Sequence, residues 1–148
     1  MNFEIPENLL HKPVIKVTNY WEIDGKYINN SDAKGLSLGF AQYDSDQISA
    51  KVWRHSDLKW SRQSEELPLN RVLDLALLIL KTKLFFEKEN IKEENEIKKY
   101  PFLPSGETTT IILKNIGSFK DMFQEYDRTY LSERILELKK TIEELEKI

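Results

Sequence analysis

The sequence predicts a single α+β domain, in which an antiparallel meander packs on a buried central helix and a helical segment follows at the C-terminus. Three observations lead to this fold class. Segments 36–41 and 48–55 alternate apolar and polar residues with the period of a strand, 72–80 is almost wholly apolar, and 118–148 is helical in pattern. With 148 residues and 40% apolar content, the chain is long enough for one domain, 1–148, with a core of its own.

The chain begins with a segment, 1–12, that we expect to be a flexible arm, because termini are ordered only where they are tied down. Residues 13–17 then form a short strand. The segment 18–30 contains Asp24-Gly25, which fits either a hairpin turn or a helical turn ended by Gly25. The helical turn is favoured because Thr18 and Asn19 both suit an N-cap.

Two apolar alternations define the meander. Same-face pairing of its strands gives a register with Phe40 opposite Ala50 and Leu38 opposite Val52, and leaves 43–47 as the loop. A third strand, 58–63, would place Trp60 opposite Val52. We expect the apolar set to face the core and the polar set to face away. The apolar set is Leu36, Leu38, Phe40, Ile48, Ala50 and Val52, and the polar set includes Ser37, Lys51, Trp53 and His55.

A helix is predicted to begin near Pro68, since proline suits a first helical position. Asp74 is the only polar residue in 72–80, and a helix that is apolar nearly all round is buried on most sides. The apolar run is about half of the ~20 residues that cross a membrane. The sequence therefore predicts one contiguous core that contains Leu38, Phe40, Val52, Trp60, Leu73, Leu77 and Leu80.

The C-terminal part begins with a strand at 108–113 and turns helical after Ser118, which resembles a capping residue. Its helical pattern has two apolar stripes of different phase, so we expect a kink or break between Tyr126 and Tyr130. The first stripe is Phe119, Met122, Phe123 and Tyr126, and the second is Leu131, Ile135, Leu138, Ile142 and Leu145. The second has coiled-coil spacing over about two heptads. It either packs on its own domain or pairs with a second copy.

Composition limits the partners and the compartment. A net charge of −3 and a pI near 5.5 give the chain no overall positive field, so we expect neither nucleic acid nor an anionic membrane as a partner. The chain has no cysteine, which excludes disulfides and thiolate sites and fits a reducing compartment. The N-terminal residues do not resemble a signal peptide, so we expect a cytoplasmic protein. The two histidines are far apart and no phosphate-binding glycine loop occurs, so we expect no metal and no cofactor.

One cluster is the candidate ligand or partner surface: Lys51, Trp53, His55, Trp60, Arg62, Glu65 and Glu66. Tryptophan beside basic residues can hold a planar ligand by stacking, and arginine can bind a phosphate or carboxylate. Gly35 and Gly39 would leave room on the same face. The alternative is a solvated sheet face, on which Arg62 pairs with Glu65 or Glu66 and clamps the start of the helix. No catalytic residue is assigned.

The segments AKGLSLGFAQYDSDQISAKVWRH and KWSRQSEELPLNRVLDLALLIL resemble a family of small bacterial proteins classified only as a domain of unknown function. The resemblance covers about the middle third of the chain. It implies that 60–66 is a recognisable signature, and it implies no activity, ligand or catalytic residue.

Two classes of function remain open. The favoured one is a non-enzymatic binding or protein-interaction module, whose partner is another protein or a second copy in a homodimer. The alternative is a small enzyme or a binder of nucleotide-like ligands that uses Trp53, His55, Arg62 and Glu65. A concave pocket at these residues would favour the alternative, whereas a flat face beside a large apolar patch would favour an interaction module.

Overall fold

The computed structural model describes residues 4–9, 11–56, 59–61, 65–88, 97–106, 109–114 and 116–148. It contains an antiparallel meander and helices, which confirms the α+β class. Contacts within the chain group it into two compact units, Met1–Ala76 and Leu77–Ile148, and these are described in turn. The assignment of 1–148 to one domain stays a prediction.

The first unit is built on an antiparallel sheet. Its strands are β1 (Lys12–Thr18), β2 (Ala33–Phe40), β3 (Ile48–Ser56), β4 (Lys59–Trp60) and β5 (Glu66–Pro68). β2 lies between β1 and β3, while β5 pairs with the first part of β3 and β4 with its end. Two 3₁₀ turns, Tyr20–Glu22 and Gly25–Tyr27, lie between β1 and β2. A helical turn is therefore present as predicted, but it ends at Glu22 instead of Gly25, and the Asn19 side chain makes no capping hydrogen bond. Gly25 begins the second turn with a φ of 53°, a conformation that suits glycine.

The strand pairing differs from the predicted register by two residues. Leu38 lies opposite Ala50 and Phe40 opposite Ile48, so the parity of the faces is kept but each partner is wrong. Trp60 pairs with His55 instead of Val52. The physical reason is the turn between β2 and β3. Ala41 N–H donates to the Gln47 carbonyl, and Asp44 accepts from the N–H groups of Asp46 and Gln47, so the turn occupies 42–46 instead of 43–47. On the far side of β3, Ala50 pairs with β5, a strand that the sequence did not predict.

The two faces of the sheet are inverted relative to the prediction. The polar face is the covered one: Ser37 and Ser49 are buried, and Trp53 is only 1% exposed. The apolar face is largely open, with Phe40 at 51% and Leu38 also exposed. Small residues on β2 allow another segment to approach the polar face closely, which alternation alone does not reveal.

The N-terminal arm is that segment, and it is anchored at two points. The Ile5 side chain is buried against Gly35, and the His11 side chain is fully buried beneath the sheet. Lys16 of β1 also pairs with Glu7. The described part of 1–12 is therefore tied down, and the glycines predicted to leave room for a ligand are occupied by the chain itself: Gly39 lies against the backbone of Lys12.

The predicted helix is present as α1 (Leu69–Lys88) and begins one residue after Pro68. It is not buried on most sides. Phe86 is its one buried residue, and Leu73 is 70% exposed. The predicted contiguous core is therefore wrong, because Leu38, Phe40 and Leu73 are all exposed.

The second unit contains β6 (Lys98–Pro101), β7 (Thr110–Leu113), α2 (Phe119–Tyr126) and α3 (Ser132–Glu146). β6 and β7 form a two-stranded antiparallel ribbon. In the small core of the unit, Phe86 of α1 packs with the ribbon and with Ile116, which lies three residues before the start of α2. Its buried members are Phe86, Ile111, Leu113 and Ile116, with Phe85, Tyr100, Phe102 and Phe123 packed against them.

The predicted break between the two C-terminal stripes is confirmed. A five-residue π-helical segment, Asp127–Leu131, joins α2 to α3 and adds the residue that shifts the phase. Asp127 is buried there and its carboxylate accepts a 2.6 Å hydrogen bond from Lys83 Nζ. Ser118 precedes α2, but its side chain makes no capping hydrogen bond.

Candidate functional site

A buried polar network lies beneath the sheet of the first unit. It comprises His11, Ser37, Ser49, Trp53 and Glu66, and is called the His11 network below. His11 Nδ1 lies 3.1 Å from Glu66 Oε1 and 2.9 Å from Ser49 Oγ, and His11 Nε2 lies 2.9 Å from Ser37 Oγ. Three strands, β2, β3 and β5, and the arm contribute to it, so it ties the first unit together.

The partners fix the direction of each hydrogen bond in the network. Ser49 Oγ–H donates to Glu66 Oε1 at 2.7 Å, so that oxygen can only accept from His11 Nδ1–H. His11 Nε2 then carries no proton and accepts from Ser37 Oγ–H. Trp53 Nε1–H donates to Ser37 Oγ at 2.8 Å. Every polar atom of the neutral imidazole is satisfied, as burial requires.

Electrostatics agree with this assignment. Burial lowers the pKa of His11, and the hydrogen bond and charge of Glu66 only partly oppose that effect, so the imidazole is neutral. Burial by itself would raise the pKa of Glu66. Hydrogen bonds from the Gln42 amide, Ser49 and His11 outweigh it and lower the pKa. The Gln42 N–H lies 2.8 Å from Glu66 Oε1. The network therefore holds one buried negative charge, stabilised by three donors.

The order Ser37–His11–Glu66 matches that of a nucleophile, a general base and an orienting carboxylate. Geometry alone would let His11 take a proton from Ser37. Both residues are buried, however, and Ser37 Oγ already accepts from the Trp53 indole. A substrate cannot reach that oxygen without displacing the arm or the indole. The arrangement therefore acts as a structural tie.

The predicted cluster is divided by the fold. Lys51 Nζ lies 3.9 Å from the centroid of the Trp53 ring, and burial lowers the pKa of Lys51 while Glu66 opposes that effect. Trp53 meets Trp60 edge to face at 5.7 Å, and Trp60 meets His55 at 4.9 Å. Trp53 also meets the His11 ring edge to face at 5.8 Å. Trp53 thus has Lys51 and two aromatic rings, His11 and Trp60, as neighbours, and because it is buried no face of it is open to stack on a ligand.

The two glutamates of the predicted signature have different partners. Glu66 belongs to the His11 network, whereas Glu65 is exposed and lies 3.7 Å from Arg54 Nη1. Arg54 also pairs with Asp32 at 2.9 Å, and this hydrogen bond and charge raise its pKa. The prediction for Arg62 lies outside the described residues. Sequence reasoning missed His11 and Ser49, and the signal that could have found them is the row of small residues Gly35, Ser37 and Gly39.

An apolar groove runs along the open face of the sheet, and it is the candidate binding site. Its volume is about 440 Å³ and its lining surface is almost entirely apolar. It crosses β1, β2, β3 and β5 and ends at the first turn of α1. The apolar side chains that line it are Ile15, Val17, Leu36, Leu38, Ala50, Val52, Leu67 and Val72. A surface of this kind is seldom left without a binding role.

The remaining classes of site receive no support from the described part of the chain. No group of three His, Asp or Glu side chains there can hold a metal ion. Among the same residues no helix has the length and apolar character to cross a membrane.

Fold and site together define an α+β chain with an apolar groove on one sheet face and a buried polar tie on the other. The chain belongs to a family of unknown function (DUF6530), whose model matches residues 3–147. This confirms the resemblance to an uncharacterised domain and extends it over nearly the whole chain. No curated protein and no solved structure matches the chain.

Proposed function

We propose that the protein is a non-enzymatic protein-interaction module, and that its apolar groove binds an amphipathic helix of a partner protein. The observation that carries the proposal is the exposure of the apolar sheet face over a groove of about 440 Å³. The absence of cysteine supports, within the same proposal, a reducing cytoplasmic location.

A helix suits the groove better than a strand does. The groove crosses four strands about 4.8 Å apart, a width of about 14 Å, which is the length of about ten helical residues. Antiparallel sheets with one apolar face are ordinarily covered by helices. Strand addition at β1 is less favourable, because Lys12 and Lys16 lie on that edge and charged edge residues oppose pairing.

The His11 network lies on the opposite face of the sheet from the groove and supports the same function. Its hydrogen bonds fix β2, β3, β5 and the arm relative to one another, and the residues that alternate with network members line the groove. Leu36 and Leu38 flank Ser37, and Ala50 follows Ser49. A sheet that these hydrogen bonds hold in place lowers the ordering cost of binding a partner at the interface.

The test is binding of a model peptide. An 18-residue synthetic helix of leucine, lysine and glutamate in an amphipathic pattern, labelled with fluorescein, is titrated with the protein and followed by anisotropy. We expect saturable binding that Leu38→Lys weakens about tenfold or more, because a buried lysine would have to be desolvated. The matched control is Ile28→Lys, on an exposed apolar residue of the same unit away from the groove.

Two outcomes would overturn the proposal. One is the absence of saturable binding by the folded wild type. The other is equal weakening by Leu38→Lys and Ile28→Lys, which would place the binding elsewhere. Circular dichroism of both variants at the titration temperature establishes that they remain folded.

A further inference from the structure

The second unit carries an apolar surface that is independent of the groove. On α3, Leu138, Ile142 and Leu145 are all exposed, and α3 has no buried residue. Leu131 and Ile135, at the start of the stripe, are half-buried. The stripe therefore emerges from its own unit along the helix axis, over about 21 Å from Leu131 to Leu145 at 1.5 Å per residue.

The π-helical segment makes the α3 stripe face a different direction from the apolar stripe of α2. The insertion at Asp127–Leu131 rotates the residues that follow relative to the apolar stripe of α2. The segment is held in place by Lys83, which binds the Asp127 carboxylate, and by Ser132 Oγ–H, which donates to the Asp127 carbonyl at 2.9 Å. Phe119 and Phe123 of α2 thus contact Phe86 of the core, while the α3 stripe faces another direction.

The residues of the stripe specify what covers it. Written as a heptad, Ile135 and Ile142 occupy the a positions, and Leu131, Leu138 and Leu145 occupy the d positions. β-Branched residues at a with leucine at d favour two strands in parallel coiled coils over three or four. We propose that α3 pairs in parallel with α3 of a second copy of this chain.

The flanking charges keep this pair weak. In a parallel pair, position g of one helix approaches position e of the next heptad of the other helix. Arg134 is at g and Lys139 is at e, so like charges meet twice in each pair. Lys139 is well exposed and lies 3.9 Å from Glu143 of its own helix. With only about two heptads and this repulsion, the dimer dissociates readily on dilution.

Because of this repulsion, a single substitution can strengthen the pair. Lys139→Glu turns each like-charge approach into an attraction to Arg134 and is expected to lower the dimer dissociation constant about three- to tenfold at low salt. Lys140→Glu is the matched control: it changes the net charge equally, but position f points away from the seam. Sedimentation equilibrium over a concentration series measures both constants.

A second pair of variants tests the seam itself. Ile142→Lys is expected to raise the dissociation constant about tenfold or more, while Leu136→Lys, at position b, should leave it within about twofold. Both residues are about half exposed, at 52% and 50%. Neither substitution should unfold a chain in which the stripe faces outward, and circular dichroism at the same concentrations checks this.

Each alternative has its own signature. A wild type that stays at 17.5 kDa at about 50 µM would end the proposal. Unfolding by Ile142→Lys would place the stripe in the core of its own unit. A dimer that survives Ile142→Lys forms through another surface, such as the groove, and a dimer that Lys139→Glu does not tighten is not parallel.

Discussion

The two faces of the sheet in the first unit are made by the same strands, yet they are stabilised in opposite ways. One carries serine, glycine, a histidine and a tryptophan and is buried; the other carries leucine, isoleucine, valine and phenylalanine and is largely exposed. The buried face gains its stability from directional hydrogen bonds around one carboxylate and from the packing of aromatic rings. The open face leaves much of its apolar surface exposed and forms the apolar groove.

This difference shows that period-two alternation identifies two faces without stating which is inside. The usual rule places the larger apolar side chains inside. Here three small residues of β2 let the arm and its histidine approach the other face, and Trp53 fills the remaining space. The position of the arm decides the polarity of the sheet, and the arm lies more than twenty residues away in the sequence.

The largest expected effect is the difference in stability lost when an aromatic residue is removed from the buried face or from the open face. Trp53→Ala removes a ring that is 1% exposed and should cost about 3–5 kcal/mol, because the cavity cannot fill and Ser37 loses a donor. Phe40→Ala removes a smaller aromatic ring that is half exposed, and should cost about 1 kcal/mol or less. Urea unfolding of the two variants measures both costs. Equal losses would contradict the inversion of the faces.

The next largest loss of stability is expected when a side chain is added at a glycine of β2. A Cβ at Gly39 would lie 2.0 Å from the Lys12 carbonyl oxygen, whereas one at Gly35 would chiefly meet the Ile5 side chain at 2.7 Å. Backbone has less freedom to move than the end of a side chain, so Gly39→Ala should destabilise by about 1–3 kcal/mol and Gly35→Ala by less. Thermal melts of both variants test the order, and the reverse order would show that the Lys12 backbone does not lie against Gly39 as described.

Much of the fold followed from the sequence. The strands of the meander, the start of α1 after Pro68, the helical turn after β1 and the break near Tyr126 depend on local pattern, and each is present. The register, β5 and the polarity of the sheet depend on contacts between distant residues. The candidate site shows the same limit. Lys51, Trp53 and Glu66 do lie close together, but His11 and Ser49 turn that cluster from a ligand surface into a buried network.

The pH dependence of stability tests whether His11 and Glu66 lie in the environment described for the polar face. Because the pKa of His11 is lowered in the folded chain, the unfolded chain binds more protons below its ordinary pKa of about 6.5. The free energy of unfolding should therefore fall as pH drops from about 7 to about 5, with a slope of at most about 1.4 kcal/mol per pH unit. Glu66, whose pKa is lowered, adds stability that is lost only at lower pH, below about 4.3.

Substitution of His11 tests whether it is the source of that slope. His11→Gln should flatten the decline between pH 7 and 5, at some cost in stability, and His55→Gln removes the other imidazole as the comparison variant. Urea unfolding at about five pH values, with the two variants beside the wild type, gives the slopes. A decline that persists in His11→Gln would show that the buried imidazole is not its source.

The inversion of the two faces is tested most directly by hydroxyl-radical footprinting of the native chain, read out by mass spectrometry. Tryptophan is intrinsically at least as reactive as phenylalanine, so exposure must account for any opposite order. Because Trp53 is 1% exposed and Phe40 is 51% exposed, we expect Phe40 to be oxidised much faster than Trp53. Rapid oxidation of Trp53 together with protection of Phe40, Leu38 and Ile15 would contradict it.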